Sequence, residues 1–295
     1  MGSPRLWAPT VLAALVAASA AGQPRAPSFS ERVRAMETPE MRQRVAAFNV
    51  GGTAALVLAR AALEGNVDEV GDGAQALGWG AVAGAGFYGS KRLAGEGLPA
   101  LGLGLAVLSG SLAENAATGA GPFSHVRIPL GLADVRVRTP FAAHAESPLA
   151  AVEADPLVIG ASVVFPLRGG RPRLRRGVPV FEFDDLGGRA GYLRRGRAVG
   201  RTVRLRADAP DHVLSHETIH LIQAFQATAV TPAGTLGAFA GTRPTAADGD
   251  VTFDVRAEWF YVVNGVFWTL FVDYLDGWPE IEARALDEPL APQTP

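Results

Sequence analysis

The chain contains no cysteine. Disulfides and thiolate metal sites are excluded, so any bound zinc must take imidazole and carboxylate ligands. Lysine is nearly absent: Lys91 stands alone and every other basic residue is arginine. No charge of either sign dominates. With 27 basic and 29 acidic residues the net charge is −2, too little to recruit nucleic acid through a global field. Uninterrupted hydrophobic runs are short too: Val45 to Leu63 is almost wholly apolar but carries Asn49 and Arg60. The apolar stretches Ala74 to Gly89 and Leu98 to Leu112 fall short of the about 20 residues a membrane span needs. Histidine is scarce, with five in the chain, which gives weight to any regular histidine spacing.

What is present is 295 residues, 48% of them apolar, enough for one large or two ordinary domains with a buried core. The most informative stretch is His216-Glu217-Thr218-Ile219-His220, which matches H-E-x-x-H. Residues four apart share a helix face, so both imidazoles reach one ion, and Glu217 reaches a water beside it. Val213, Leu214, Ile219, Leu221, Ile222 and Phe225 make the flanks an apolar helix, and Asp208, Pro210 and Asp211 supply its start signals.

The pattern around this helix predicts an α+β fold: Gly/Ala-rich N-terminal helices, a central antiparallel β module, and C-terminal helices carrying the metal site. Residues 1–22 read as a signal peptide or N-terminal anchor. Arg5 is the positive region, Trp7 to Ala18 the apolar core, and Ala18-Ser19-Ala20 and Ala20-Ala21-Gly22 the cleavage options. Residues 23–120 read as helical. The first helix runs from Ser28 to Ala62, broken at Pro39. Lys91 and Arg92 separate the next two apolar runs, and Gly80-x-x-x-Gly84 marks a close helix crossing. This region is either membrane-associated or a buried hairpin.

Residues 121–207 form the β-rich module. Strands are expected at 125–130, 134–138, 157–165, 178–183, 191–193 and 199–205, where apolar and polar residues alternate or β-formers cluster. The arginines between Arg168 and Arg206 either face anionic groups or pair with acids of the C-terminal third. Residues 208–278 are the zinc-binding helical region. It comprises a helix from Pro210 to Ala227, a loop to Asp250 and a second apolar helix from Phe253 to Leu275. Residues 279–295 read as a flexible tail.

Two histidines do not complete a zinc site, which ordinarily has three protein ligands and a water. Glu258 is the favoured third ligand, because it begins the apolar run Trp259 to Leu275, where an unpaired carboxylate would cost several kcal/mol. Asp254, one turn earlier, is its rival. His212 faces roughly the same way as His216 but lies about 12 Å from His220 along the helix, so it reads as a helix-start histidine. His125 and His144 lack partner spacing and read as structural.

The H-E-x-x-H helix followed by a glutamate on a second helix resembles the zinc-dependent metallopeptidases of the gluzincin kind. A metzincin is rejected, since Gln223 and Gln226 stand where that class has glycine and histidine. The whole layout more loosely resembles poorly characterised exported bacterial proteins with a His-Glu-x-x-His-x-x-Gln helix. The resemblance covers Pro210 to Asp273. It implies zinc on His216, His220 and Glu258, with Glu217 the catalytic base that cleaves a peptide or protein substrate. It implies an exported protein of the periplasm or cell envelope, with membrane association possible and no nucleic-acid partner. Val262 replaces the acid that gluzincins often carry four residues after the ligand glutamate. That departure leaves open a non-catalytic metal-binding or membrane-associated structural protein.

Overall fold

The computed structural model describes residues 36, 38–130, 133–142, 149–154, 159, 162, 165–167, 169–186, 195–199, 201–230, 251–255 and 278–286. Among the described residues, three long helices come first: α1 (Pro39–Leu63), α2 (Val70–Gly95) and α3 (Pro99–Ala117). Thr38 caps α1, its Oγ1 accepting from the Met41 amide at 3.2 Å, and Pro39 fills the first turn. Proline therefore starts the helix. Of the expected piece before it, from Ser28, Met36 is described and is helical; the rest up to residue 37 lies outside the described residues. Helix α2 corrects the expected break at Lys91 and Arg92. Both lie in its last turns, with Lys91 buried, and the chain turns at Gly97, whose φ is +81°. The Gly80/Gly84 face packs against α1. A Cβ on Gly84 would lie 2.3 Å from Asn49 O and 2.8 Å from Val50 Cα, so backbone meets backbone there.

Among the described residues the strands form two four-stranded sheets rather than one antiparallel module. The first contains β1 (His125–Pro129), β2 (Asp134–Arg138), β3 (Ala150–Ala154) and β8 (Val251–Val255), in that order. The second contains β4 (Arg171–Arg175), β5 (Val178–Phe183), β6 (Gly196–Val199) and β7 (Thr202–Arg206), in the order β4-β5-β7-β6. Each has one parallel pair, β3 with β8 and β5 with β7. Several expectations change accordingly. Phe165–Leu167 is a helical turn, not the end of a strand. Residues 253–255 begin no helix but end β8, which pairs with a strand about a hundred residues earlier. The boundary expected at 207 therefore does not separate the sheets from the C-terminal region. The expected strand at 191–193 lies outside the described residues.

Two more helices lie among the described residues. Helix α4 (Asp211–Val230) carries the histidine motif, close to the expected span, and α5 (Trp278–Leu286) comes after β8. The second of these corrects the flexible tail: Ala283, Ala285 and Leu286 are buried in the helical core, and Glu280 and Glu282 are buried with them. Helix α4 is the central element. Its Ile219 and Ile222 enter the core shared with α1, α2 and α3, while Leu214 and Leu221 enter a second core with Val178, Val180, Val203 and Leu205 of the second sheet. The arginines are largely satisfied by acids nearby. Arg175 and Arg176 pair with Asp211, and Arg171 pairs with Asp184. Between α3 and the first sheet, Arg127 and Arg136 interleave with Glu114, Asp134 and Glu153, and Arg201 joins through Asp134.

Candidate metal centre

His216 and His220 stand about one helical turn apart, and the helix brings their rings toward one point. The two Nε2 atoms are 3.1 Å apart, with ring planes at 86°. The third group comes from α5. Glu280 Oε2 lies 3.2 Å from His220 Nε2 and 3.5 Å from His216 Nε2. Ligands at about 2.0–2.1 Å from a tetrahedral zinc lie roughly 3.3 Å from one another. The three separations bracket that value, so the donor set fits such an ion. This buried cluster of His216, His220 and Glu280 could hold a metal ion.

No family model, no curated protein and no solved structure matches this chain. The site therefore has to be read from its own chemistry.

Helix α5 begins as a helix should, with Pro279 and Glu280 in its first turn and Arg284 in its last. The i,i+4 spacing lets Arg284 Nε donate to Glu280 Oε1 at 2.9 Å, which leaves Oε2 aimed at the histidines. Burial works to raise the Glu280 pKa. Hydrogen bonds from His216 and His220 outweigh it and hold the carboxyl far below its usual range. A carboxylate favoured in its ionised form beside two imidazoles suits a divalent cation. Glu280 and His216 are buried, and His220 is the most accessible of the three.

His220 is also held from behind. Its Nδ1 lies 2.8 Å from Gln223 Oε1. The Gln223 amide nitrogen donates to Pro279 O and to Glu282 Oε2, both at 2.8 Å. With two acceptors on its nitrogen side, the amide presents oxygen to the ring. With an ion bound, His220 Nδ1 would then be the donor and Nε2 would give its lone pair to the metal.

Glu217, next to His216, is held by the second sheet. Its Oε2 accepts from the Ala198 amide at 2.6 Å. Among the described strands β6 is an edge of its sheet, and the Glu217 carboxylate accepts from it where a further strand would.

The structure brings together His216 and His220 as the sequence predicts, and adds Glu280, which the sequence reading missed. Glu258 lies outside the described residues. Its rival Asp254 is on β8, in register with Glu153. His212 is exposed at the start of α4, as expected of a helix-start histidine. His125 opens β1, where its carbonyl accepts from Asn115, and His144 lies outside the described residues. The signal for Glu280 was a proline followed by an i,i+4 glutamate–arginine pair. It sat in a proline-rich end that invited a frayed reading.

Proposed function

We propose that the protein is a zinc-dependent metallopeptidase of the gluzincin kind, in which His216, His220 and Glu280 hold the ion and Glu217 is the catalytic base. One observation carries this reading: a carboxylate from a separate helix meets both motif histidines at separations of 3.1 to 3.5 Å. A zinc ion held there would supply Lewis acidity, polarising the scissile carbonyl and lowering the pKa of a coordinated water to about 7. The chain's own part is proton transfer and orientation. Glu217 Oε2 stays with the Ala198 amide and Oε1 takes the proton as the water oxygen bonds to the carbonyl carbon. The same oxygen returns the proton to the amide nitrogen as the carbon–nitrogen bond breaks.

The test compares purified wild type with Glu217→Gln and Glu280→Ala. Glutamine keeps an oxygen for the Ala198 amide but cannot carry the proton. Glu217→Gln should retain one zinc per chain and lose peptide cleavage by about 10²–10⁴-fold. Glu280→Ala should lose the zinc. Wild type that takes up zinc but cleaves no peptide would leave a metal-binding scaffold, the reading favoured by Glu217 serving as a tie to the sheet edge.

The setting we propose is a membrane surface of the cell envelope. Pro39–Leu63 and Pro99–Ala117 are long and apolar enough to cross a membrane. Phe48, Leu56, Leu63, Leu77, Val82, Leu101 and Leu108 are exposed on α1, α2 and α3.

A further inference from the structure

The only lysine of the chain is buried in the helical core, 1% exposed. Lysine in such a place needs partners for three donors, and three are there. Lys91 Nζ donates to Asn49 Oδ1 of α1 at 2.8 Å, to Gln226 Oε1 of α4 at 2.5 Å and to Glu282 Oε1 of α5 at 2.8 Å. Neighbouring amides are fixed in turn. Asn49 Nδ2 donates to Val45 O and to Glu282, and Gln226 Nε2 donates to Thr53 Oγ1. The other oxygen of Glu282 accepts from Gln223, whose amide oxygen meets His220 Nδ1. An unbroken line of hydrogen bonds thus runs from Lys91 through Glu282 and Gln223 to the back of a candidate metal ligand.

We infer that Lys91, Glu282 and Gln223 are positioning residues of the metal centre, fixing the ring and tautomer of His220 so that Nε2 faces the ion. This rests on the metal-site reading above and deepens it. A group that only packs the core would have no reason to end at a ligand nitrogen. This line also crosses α2, α5 and α4, two of which carry the ligands. Groups that orient a ligand histidine in this way typically change metal affinity by about 10–100-fold when removed.

The experiment uses the full chain, with Zn²⁺ titrated against a chromophoric chelator and Co²⁺ as a spectroscopic reporter. Lys91→Met alone would leave Glu282 buried without its counter-charge and is not informative about the metal. The double variant Lys91→Met/Glu282→Leu removes both charges together, a change often neutral for folding. Gln223→Leu removes the contact to His220 together with one hydrogen bond to Glu282, and keeps both charges of the Lys91–Glu282 pair. Both should melt near wild type when metal-free. Both should bind Zn²⁺ about 10–100-fold more weakly and shift the Co²⁺ visible bands. If the double variant fails to fold, Gln223→Leu alone decides. Unchanged Zn²⁺ affinity and unchanged Co²⁺ bands in Gln223→Leu would overturn the inference and leave the metal site standing. Wild type that binds neither ion would overturn both, and that result would appear before any variant is made.

Discussion

At the residue scale, the base of the proposed reaction depends on a missing side chain. Gly196 lies where β6 crosses α4. A Cβ there would sit 2.6 Å from Val213 Cγ1 and 2.9 Å from Glu217 Cγ. Glycine lets the strand edge come close enough for Ala198 to hold the Glu217 carboxylate. Gly196→Ala should therefore move Glu217 or lift the strand. Overpacking of this kind costs about 1–3 kcal/mol, read as a lowered melting temperature. A Cβ at Gly196 meets Val213 and Glu217 and no metal ligand, so zinc stoichiometry should hold while peptide cleavage falls. Loss of zinc together with activity would show that β6 supports the ligands as well as the base. The H-E-x-x-H spacing was legible because both histidines sit on one turn of one helix. Ala198 and Gly196 were not, because nothing local in a strand says which helix side chain will lie against it.

At the element scale, legibility tracks how local the determining contacts are. Helix α4 and strands β1, β2 and β5 were expected nearly where they stand, since alternation and helical spacing act within a few residues, whereas the one strand expected at 199–205 is the turn between β6 and β7 with its flanks. Strand β8 was missed because a short run of apolar and polar residues becomes a strand only by pairing with β3. Helix α5 was missed because Glu280 and Glu282 read as solvated charges. Their partners His220, Gln223, Asn49 and Lys91 lie 59 to 233 residues away, and no composition rule encodes such distances. The three N-terminal helices were misjudged in length for the same reason. Lys91 looked like a break, yet it is an inward residue of α2. What remains is an outward face without charge. Between Val45 and Leu63 the one charged residue, Arg60, turns inward to Ala229 O, and no charged residue occurs from Gly73 to Ser90 or from Pro99 to Ala113. Soluble monomers rarely expose an apolar patch of more than a few hundred Å². Expressed protein should therefore remain with membranes after a carbonate wash and need detergent for release. Leu56→Glu with Leu108→Glu, both on the exposed face, should shift it toward the soluble fraction without unfolding it. A wild type found monodisperse without detergent would remove lipid from the account.

For the whole molecule, the candidate metal site is also a fastener between parts distant in the chain. Helix α5 is the last described element, only nine residues long. It meets the rest through the helical core, through Arg42 Nε donating to Ala285 O, through the Lys91 cluster and through Glu280 at the histidines. A helix of that length has little stability of its own. An ion bound only by the folded state stabilises it through mass action, by about 4 kcal/mol when free ion is a thousandfold above Kd. In a protein of this size, 1 kcal/mol corresponds to roughly 2–4 °C in melting temperature. Chelation should thus lower the melting temperature by about 10 °C, and zinc should restore it. The loss should also be uneven. Helix α5 should gain hydrogen exchange first, with the Glu280 end of α5 leading. The second sheet, whose core of Val178, Val180, Val203 and Leu205 involves no ligand, should exchange as before. A melting temperature indifferent to chelation, in protein shown to have lost its zinc, would mean that α5 is held by the core and the Lys91 cluster alone. The ion would then be a passenger on a site already formed.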